Sequence, residues 1–313
     1  KTYLGTVTGV VAGSVIDRNS NKPLRERKSL GSGYGEVAYM GDRYQMDNDR
    51  LDMLQELINK FNQAKTPDQR AALDDIINYI VDDMRQVLLA PHKRMDIVDG
   101  DLRSDGKASV KVDDNPQGIE LLEMELPVHR ITPQVADKLN FVRYLMEKTV
   151  ELRTKFGMFV SMEMSRRTFI NSIIGSKDFG DFYKQSFDSK EVRLSAGLMS
   201  SEMATTIFRE LGLPPIVINE DLVELSDGTF KQVFKDNRIS LFTTPKQGKM
   251  RWHTPYEITD PVPGKTYTRS EGGMYISNIR TDEGRFMEYG AEWIPEFTSP
   301  NKIVIFDLDT MNA

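Results

Sequence analysis

The sequence has no cysteine, only three histidines and no long apolar run, and each absence excludes a class of protein. Without cysteine the chain forms no disulfide, offers no thiolate nucleophile and builds no cysteine-ligated zinc site, which fits a reducing compartment. His92, His129 and His253 are widely spaced and form no HExxH-type pair, so we expect structural or surface roles for them and no metal or cofactor. Because no apolar run approaches the roughly 18 residues of a membrane span, we expect no membrane association.

The composition is that of a globular chain. Hydrophobic residues make up 39% and charged residues 28% of 313 residues, enough for a sizeable core in one elaborate domain or two modest ones. The net charge of −6 disfavours a protein that clamps nucleic acid over its whole surface, because phosphate contacts need an excess of Lys and Arg. Since the sequence begins at Lys1 rather than Met, we expect an N-terminus that is processed, trimmed or left out of the given sequence.

The first part of the chain predicts strands, a long excursion and two helices. Residues 1–16 are rich in Thr, Val and Ile between glycines, which favours strands. Residues 17–45 are first basic and then glycine-rich, and they predict a long two-stranded excursion that lies against something else, since an isolated hairpin is marginal in water. Apolar residues at helical spacing predict one helix over 51–61 and a second from Thr66 to a stop near Pro91.

Residues 92–131 contain Asp-Gly, Gly-Asp and Asn-Pro-Gln-Gly signals, which predict short strands joined by tight turns. The repeated carboxylates Asp96, Asp99, Asp101 and Asp105 lack the calcium-loop pattern with its closing Glu, so we assign them to hairpin turns.

The second half of the chain predicts a mixed α/β sheet. A helix is expected from Thr132 to a stop at Gly157, followed by a buried strand in GMFVSMEM and a short helix behind Ser165. The segment SSEMATTIFRELGLPPIVINE predicts a helix, a glycine stop and a strand, and the tail from RISLFTTP to KIVIFDL predicts further strands.

The terminal segment IVIFDLDTMNA resembles the nucleophile motif of haloacid dehalogenase phosphotransferases, with Asp307 as nucleophile and Asp309 as its acid/base partner. In that family the motif lies early in the chain, whereas only Leu308 to Ala313 follow Asp307 here. No upstream arrangement of Ser/Thr, Lys and paired Asp completes such a site. We therefore interpret KIVIFDLDT as a buried strand with an acidic exit, and we keep the phosphatase as a remote alternative.

The order of segments resembles the major capsid proteins of tailed bacteriophages, the Hong Kong 97 fold that lambda-like shell subunits and encapsulins share. VIDRNSNKPLRERKSLGSGYGEVAYM is similar to the extended loop of that family, and YQMDNDRLDMLQELINKFNQ with the next helix resembles its spine region. MDIVDGDLRSDGKASVKVDD falls where peripheral-domain hairpins occur. SRRTF after GMFVSMEM resembles the Pro-Arg-Asp-Trp-like helix start of relatives, with Phe169 at the aromatic position, and LGLPPIVIN resembles their Gly-Leu-Pro-Val-Val strand entry.

The resemblance implies an α+β fold with an extended loop, a spine helix, a peripheral hairpin domain and a mixed α/β axial domain. It divides the chain into N-terminal strands and extended loop (1–45), spine helices and peripheral hairpins (46–131), an axial domain (132–260) and C-terminal strands that return to both sheets (261–313).

The function implied is that of a structural subunit, not an enzyme. Copies would assemble into pentamers and hexamers of an icosahedral virion capsid in the host cytoplasm and enclose double-stranded DNA without sequence-specific binding. Expected partners are a portal, a scaffold or protease, and decoration proteins. The main alternative is an encapsulin-type compartment that encloses a cargo enzyme.

The extended loop is the expected site of contact with a neighbouring subunit, because it has no core of its own. Its cations would pair with carboxylates on the neighbour, for instance on the helices at 47–90, and the alternative is a mobile surface arm. The contact candidates are Arg18, Lys22, Arg25, Arg27, Lys28, Tyr34 and Tyr39.

Overall fold

The structure is a computed structural model that describes residues 2–3, 5–6, 32–33, 38–46, 48–110, 121–187, 201–225, 228–282 and 284–312. The chain divides into two compact units, each built from separate stretches of sequence. The first unit comprises residues 1–35, 97–249 and 295–313, and the second comprises residues 36–96 and 250–294.

The elements are numbered along the chain. The helices are α1 (Asn48–Gln63), α2 (Thr66–Asp105), α3 (Phe141–Phe156), α4 (Arg166–Thr168), α5 (Lys177–Phe187), α6 (Ser201–Glu210), α7 (Tyr256–Thr259) and α8 (Asp309–Asn312), with a π-helix at Phe169–Ile174 and 3₁₀ turns at Val135–Asn140, Glu271–Gly273 and Pro300–Lys302. The strands are β1 (Thr2–Tyr3), β2 (Gly5–Thr6), β3 (Ser32–Gly33), β4 (Ala38–Met40), β5 (Arg43–Met46), β6 (Lys107–Val110), β7 (Leu121–Glu125), β8 (His129–Ile131), β9 (Ser161–Ser165), β10 (Ile216–Asn219), β11 (Leu222–Glu224), β12 (Phe230–Gln232), β13 (Arg238–Phe242), β14 (Gly248–His253), β15 (Thr266–Arg269), β16 (Tyr275–Thr281), β17 (Gly284–Thr298) and β18 (Val304–Asp307).

A five-stranded mixed sheet organises the first unit, in the order β10-β9-β13-β18-β8. β9 runs parallel to β10 and antiparallel to β13, and β18 runs antiparallel to β13 and parallel to β8. Side chains alternate across it, so that Met162 and Met164 enter the core while Glu163 points to the opposite face. This is the mixed α/β sheet that the second half of the sequence predicts.

The main core lies between this sheet and helices α3, α5 and α6. It contains the apolar residues that the helices place at helical spacing, together with the inward side chains of the strands. Its largest fully buried side chains include Phe141, Phe169, Phe179, Phe208 and Phe306.

Helix α2 is much longer than the sequence pattern predicts. It runs for 40 residues from Thr66 to Asp105 and carries Pro91 in its interior, so the expected stop at Pro91 and the turn-rich strands over 92–105 are wrong. The first strand after it is β6, beginning at Lys107, which pairs antiparallel with β7.

Burial explains why α2 continues past its proline. An internal proline costs about 3 kcal/mol through a lost hydrogen bond and a steric clash. The following turns bury Ile97, Val98 and Leu102 at 3% exposure or less, and each fully buried aliphatic side chain contributes about 1.5–3 kcal/mol. The summed burial therefore outweighs the local penalty. The aspartates assigned to turns lie on this helix, where Asp99 pairs with Arg103 at 2.7 Å.

The second unit is built around the 15-residue strand β17. β17 pairs antiparallel with β16, β5 and β4, and β16 pairs in turn with β15.

Helices α1 and α2 contact each other through Tyr79. Its hydroxyl donates to the carbonyl of Arg50 at 3.2 Å, and its ring lies under the Arg50 guanidinium.

Several local predictions from the sequence are confirmed. α3 ends at Gly157 with φ of +94°, α6 ends before Gly212 with φ of +71°, and the strand after it is β10. The expected helix start at Thr132 is instead a 3₁₀ turn from Val135, and α3 begins at Phe141.

None of the described helices is both long and apolar enough to cross a bilayer. The four-segment division by role stays a prediction.

Candidate functional site

The acidic exit of β18 is held by two arginines from neighbouring strands. Asp307, the last residue of β18, accepts a hydrogen bond from Arg130 Nη1 at its Oδ2 (2.8 Å) and faces Arg238 Nη1 with its Oδ1 (2.8 Å). Arg238 also donates through Nη2 to Asp309 Oδ2 at 2.7 Å. β8, β13 and β18 are therefore joined by ion pairs at the end of the sheet as well as by their backbone hydrogen bonds.

The end of α2 joins the same group through Asp105. Its carboxylate accepts from Arg130 Nη2 at 2.6 Å and from Lys235 Nζ at 3.0 Å, and it lies 3.4 Å from Arg238 Nε. These residues, together with Asp307 and Asp309, are called the Asp307 network, which comprises Asp105, Arg130, Lys235, Arg238, Asp307 and Asp309. Three carboxylates and three cations balance within it.

The network favours the charged form of Asp105, Asp309 and Arg238. Burial opposes ionisation of Asp105, but hydrogen bonds from Arg130 and Lys235 outweigh burial and hold its pKa below the usual value. The hydrogen bond from Arg238 lowers the pKa of Asp309. Burial acts against the charge of Arg238, yet Asp309 and Asp307 raise its pKa overall.

This geometry shows that the FDLDT segment has a structural role. Both oxygens of Asp307 face guanidinium groups, and Oδ1 also accepts from the backbone N–H of Asp309 at 3.2 Å, which starts helix α8. A carboxylate nucleophile needs an oxygen free to approach phosphorus, and here both are engaged. The interpretation of this segment as a buried strand with an acidic exit is confirmed for Val304–Asp307. Within the described residues no three His, Asp or Glu side chains are grouped to hold a metal ion.

A second buried ion pair lies on the same sheet, and the sequence pattern did not reveal it. Arg103 of α2 donates to Glu163 Oε1 at 2.5 Å, and the Glu163 side chain is only 6% exposed. Asn219 of β10 donates to the same oxygen at 3.1 Å, and Ser240 donates to the Arg103 carbonyl at 2.7 Å. A single Glu inside an apolar strand sequence was the available signal, because a buried carboxylate needs a partner.

The SRRTF segment starts a helix as expected. The Ser165 hydroxyl caps α4 by accepting from the backbone N–H of Thr168 at 3.2 Å, and it donates to Asp236 at 2.6 Å. Phe169 is fully buried in the core. The segment that carried part of the resemblance therefore fixes the junction between β9 and the following helices.

Of the predicted contact residues in the extended loop, Tyr39 is described. It lies in β4, half exposed, and its hydroxyl donates to Glu257 Oε1 at 2.7 Å and lies 3.0 Å from the Tyr275 hydroxyl. Burial and these neighbours raise the pKa of Tyr39, and burial raises the pKa of Tyr275 to about 12. The remaining candidates, Arg18, Lys22, Arg25, Arg27, Lys28 and Tyr34, lie outside the described residues.

Each of the three histidines contacts a different side chain. His92 packs on Trp293, His129 packs on Phe156, and His253 Nδ1 lies 2.7 Å from Glu292.

Large apolar side chains are exposed on both units. On the first unit they include Leu139, Met158, Leu222 and Phe230, and on the second they include Met53, Leu73, Ile77, Trp252 and Tyr256.

Comparisons with known proteins bear on the fold. No protein-family model and no curated protein sequence matches this chain. A solved structure assigned as the capsid protein of a prophage of E. coli CFT073 matches 87% of this chain and 77% of its own, with 15% identity and a TM-score of 0.56. A structure of Gordonia phage Cozz matches 98% of this chain and 83% of its own (14% identity, TM-score 0.39). A virus-like particle from Pyrococcus furiosus matches 97% and 90% (10% identity, TM-score 0.34).

The prophage protein matches with a TM-score above 0.5, so this comparison supports a shared overall fold. The described helices and sheets confirm the α+β class and agree with the expected Hong Kong 97 arrangement. This chain has the α+β fold of a phage capsid protein.

Proposed function

We propose that this protein is the structural subunit of an icosahedral bacteriophage capsid, assembling into pentamers and hexamers that close into a shell. The observation that carries the proposal is the shared fold with the prophage capsid protein over 87% of the chain. The role is geometric rather than catalytic, and it requires surfaces that bind other copies.

One such surface is formed by α1 and the first part of α2. We call residues 48–63 and 66–80 the acidic helix pair. Leu54 is the buried residue of α1, whereas Met53, Leu73 and Ile77 are 42% exposed or more. Exposed carboxylates surround these apolar side chains: Asp49, Asp52, Glu56, Asp74 and Asp75. An amphipathic helix that exposes apolar residues in this way is suited to a partner.

The extended loop of a neighbouring copy has the complementary charge. Residues 18–28 contain five Lys or Arg and one Glu, a net charge of +4. We propose that Arg18, Lys22, Arg25, Arg27 and Lys28 pair with the acidic helix pair of the neighbour, with Tyr34 and Tyr39 adding apolar contact. Single exposed ion pairs contribute only about 0–1 kcal/mol, so the contact depends on repetition around the lattice and on the exposed apolar residues.

The contents and partners of the shell follow from the same proposal. The shell would enclose double-stranded DNA without reading its sequence, and a net charge of −6 suits this because a strongly basic wall would hold phosphates tightly. A portal, a scaffold or protease, and decoration proteins would complete the virion, which would assemble in the host cytoplasm.

No catalytic step is assigned to the chain. Its one motif with a catalytic resemblance places Asp307 between two arginines. Turnover of a generic phosphate ester that is lost in Asp307→Asn would instead support an aspartate-nucleophile enzyme.

The deciding experiment is to express the chain and examine it by negative-stain electron microscopy and light scattering. Closed shells, or rings of five and six, are the expected result. Nucleic acid inside would support the virus, and a protein cargo would support an encapsulin-type compartment. A monodisperse monomer or dimer under all assembly conditions, also with residues added before Lys1, would overturn the proposal.

The role of the loop is tested separately. Deleting residues 18–38 should abolish shells of normal size, and Arg25→Glu with Arg27→Glu should weaken assembly by reversing the loop charge. The matched control is Lys177→Glu with Lys184→Glu, which reverses two exposed cations of α5. Normal shells from the deletion would show that the loop is a mobile arm and not a clamp.

A further inference from the structure

A hairpin of the first unit carries an exposed apolar face. β11 and β12 pair antiparallel with Glu224 opposite Phe230 and Leu222 opposite Gln232. Val223 points to the other face, where it is buried with Ile97 and Val233. Leu222 and Phe230 therefore share the outward face and are 57% and 66% exposed. We call this face, with its flanking carboxylates Asp221 and Glu224, the hairpin surface; the nearby Glu220 pairs with Arg166 at 3.1 Å.

A second exposed apolar surface of the same unit carries the opposite charge. Met158 and Val160 are 68% and 38% exposed, and Phe159 between them is buried, so both point outward from the segment that enters β9. Lys155 lies just before them at the end of α3 and Lys246 follows β13, both exposed. β13 ends beside the start of β9, because Phe242 pairs with Ser161. These four exposed residues, Lys155, Met158, Val160 and Lys246, form the strand-entry surface.

The two surfaces lie at opposite ends of one pair of strands. β9 and β10 run parallel, from Met162 opposite Ile216 to Ser165 opposite Asn219. The strand-entry surface precedes β9, and the hairpin surface follows β10. Five strand residues separate them by about 17 Å, so one chain cannot join its own two surfaces.

We propose that the hairpin surface of one copy binds the strand-entry surface of the next copy. Leu222 and Phe230 would pack against Met158 and Val160, while Glu224 and its neighbours would face Lys155 and Lys246. Such a contact joins two different surfaces, so it is heterologous and repeats around a ring of copies. This inference rests on the proposed function and identifies the contact that would join neighbouring subunits within a ring.

The absence of cysteine in the natural sequence allows a direct test. Phe230→Cys and Met158→Cys are introduced together and singly, and assembled particles are treated with a short bismaleimide and analysed by denaturing electrophoresis. The double variant should give a ladder of covalent oligomers that ends at five or six chains. Each single variant should stay monomeric, because a heterologous contact places the two cysteines on different surfaces. Leu139→Cys with Phe230→Cys is the matched control, and it should give no ladder.

Two results would overturn the inference while leaving the proposed function intact. The first is a double variant that assembles normally but gives no ladder, and the second is Phe230→Cys alone giving covalent dimers, which would indicate a contact between identical surfaces. If wild-type chains form neither rings nor shells, the proposed function fails with it.

If the cysteine substitutions themselves prevent assembly, an exchange of charges between the two surfaces still tests the contact. Lys155→Glu and Glu224→Lys should each reduce the assembled fraction severalfold by placing like charges together. The combination should recover most of the loss, since it restores opposite charges in the reversed order. Equal losses in the singles and no recovery in the double variant would contradict direct contact between the two surfaces.

Discussion

Arg238 and Asp307 are direct cross-strand partners of β13 and β18, and their side chains are joined by an ion pair of 2.8 Å. The arginine is 11% exposed and the aspartate 17%, so water screens the pair weakly. Arg238 also reaches Asp309 and Asp105, so it contacts all three carboxylates of the Asp307 network.

We expect Arg238→Met to lower the free energy of unfolding by about 3 kcal/mol. The methionine keeps much of the side-chain volume, but it leaves the partly buried Asp307 with Arg130 as its remaining cation, and breaking a partly buried ion pair is costly. Urea unfolding followed by circular dichroism measures the change. Arg167→Met is the control, because the Arg167 side chain is 76% exposed and its pair with Asp236 is long at 3.5 Å. Equal effects of the two variants would contradict the central role of Arg238.

The lowered pKa values of Asp105 and Asp309 predict a dependence of stability on acid. Both are lower in the folded chain than in the unfolded chain, so their contribution is complete above the unfolded value of about 3.9 and disappears as pH falls through the folded value. Asp105→Asn should therefore destabilise the protein at neutral pH, and its effect should shrink as pH falls below about 3.9. Unfolding free energies of both proteins across this range test it, and a constant difference would contradict the assignment.

The sequence predicts the five-stranded sheet of the first unit and its helices well because the signals there are local. The spacing of apolar residues, Ser165 before its short helix, and the stops at Gly157 and Gly212 each act within a few residues. The same local rules fail at Pro91, where they predict that α2 ends. The helix continues because residues after Pro91 are buried in the fold, and a local sequence pattern does not show that burial.

The Asp307 network could not be predicted because its members are far apart in sequence. Asp105 and Arg130 lie 25 residues apart, and Arg130 and Asp307 lie 177 apart. Charge patterning reports on neighbours within a helix or hairpin, and it contains no information on which strand lies beside which. The FDLDT motif can be recognised in the sequence, but only the fold brings the basic residues that pair with its aspartates beside it.

Gly100 of α2 packs directly against the backbone of Val233. A Cβ at this position would stand 2.2 Å from the Val233 carbonyl oxygen. Alanine is the better helix former, so intrinsic propensity alone would predict stabilisation of about 1 kcal/mol. We expect Gly100→Ala to destabilise by about 1–3 kcal/mol instead, because the clash involves backbone that cannot rotate away. Thermal unfolding measures the sign, and a raised midpoint would show that the contact relaxes freely.

Tyr39 is expected to fasten the return strand of the extended loop through Glu257 and Tyr275. Both tyrosine pKa values are raised in the folded chain, so stability should be constant up to the unfolded value of about 10 and fall as pH rises above it. Tyr39→Phe should cost about 1–2 kcal/mol at neutral pH, because the Glu257 carboxylate loses its donor, and it should flatten the alkaline decline. Unfolding measured between pH 7 and pH 11 separates the two effects. Tyr256→Phe is the control, since its exposed hydroxyl bonds only Asp260 among the described contacts. A decline that is as steep in Tyr39→Phe as in the natural sequence would show that another group titrates there.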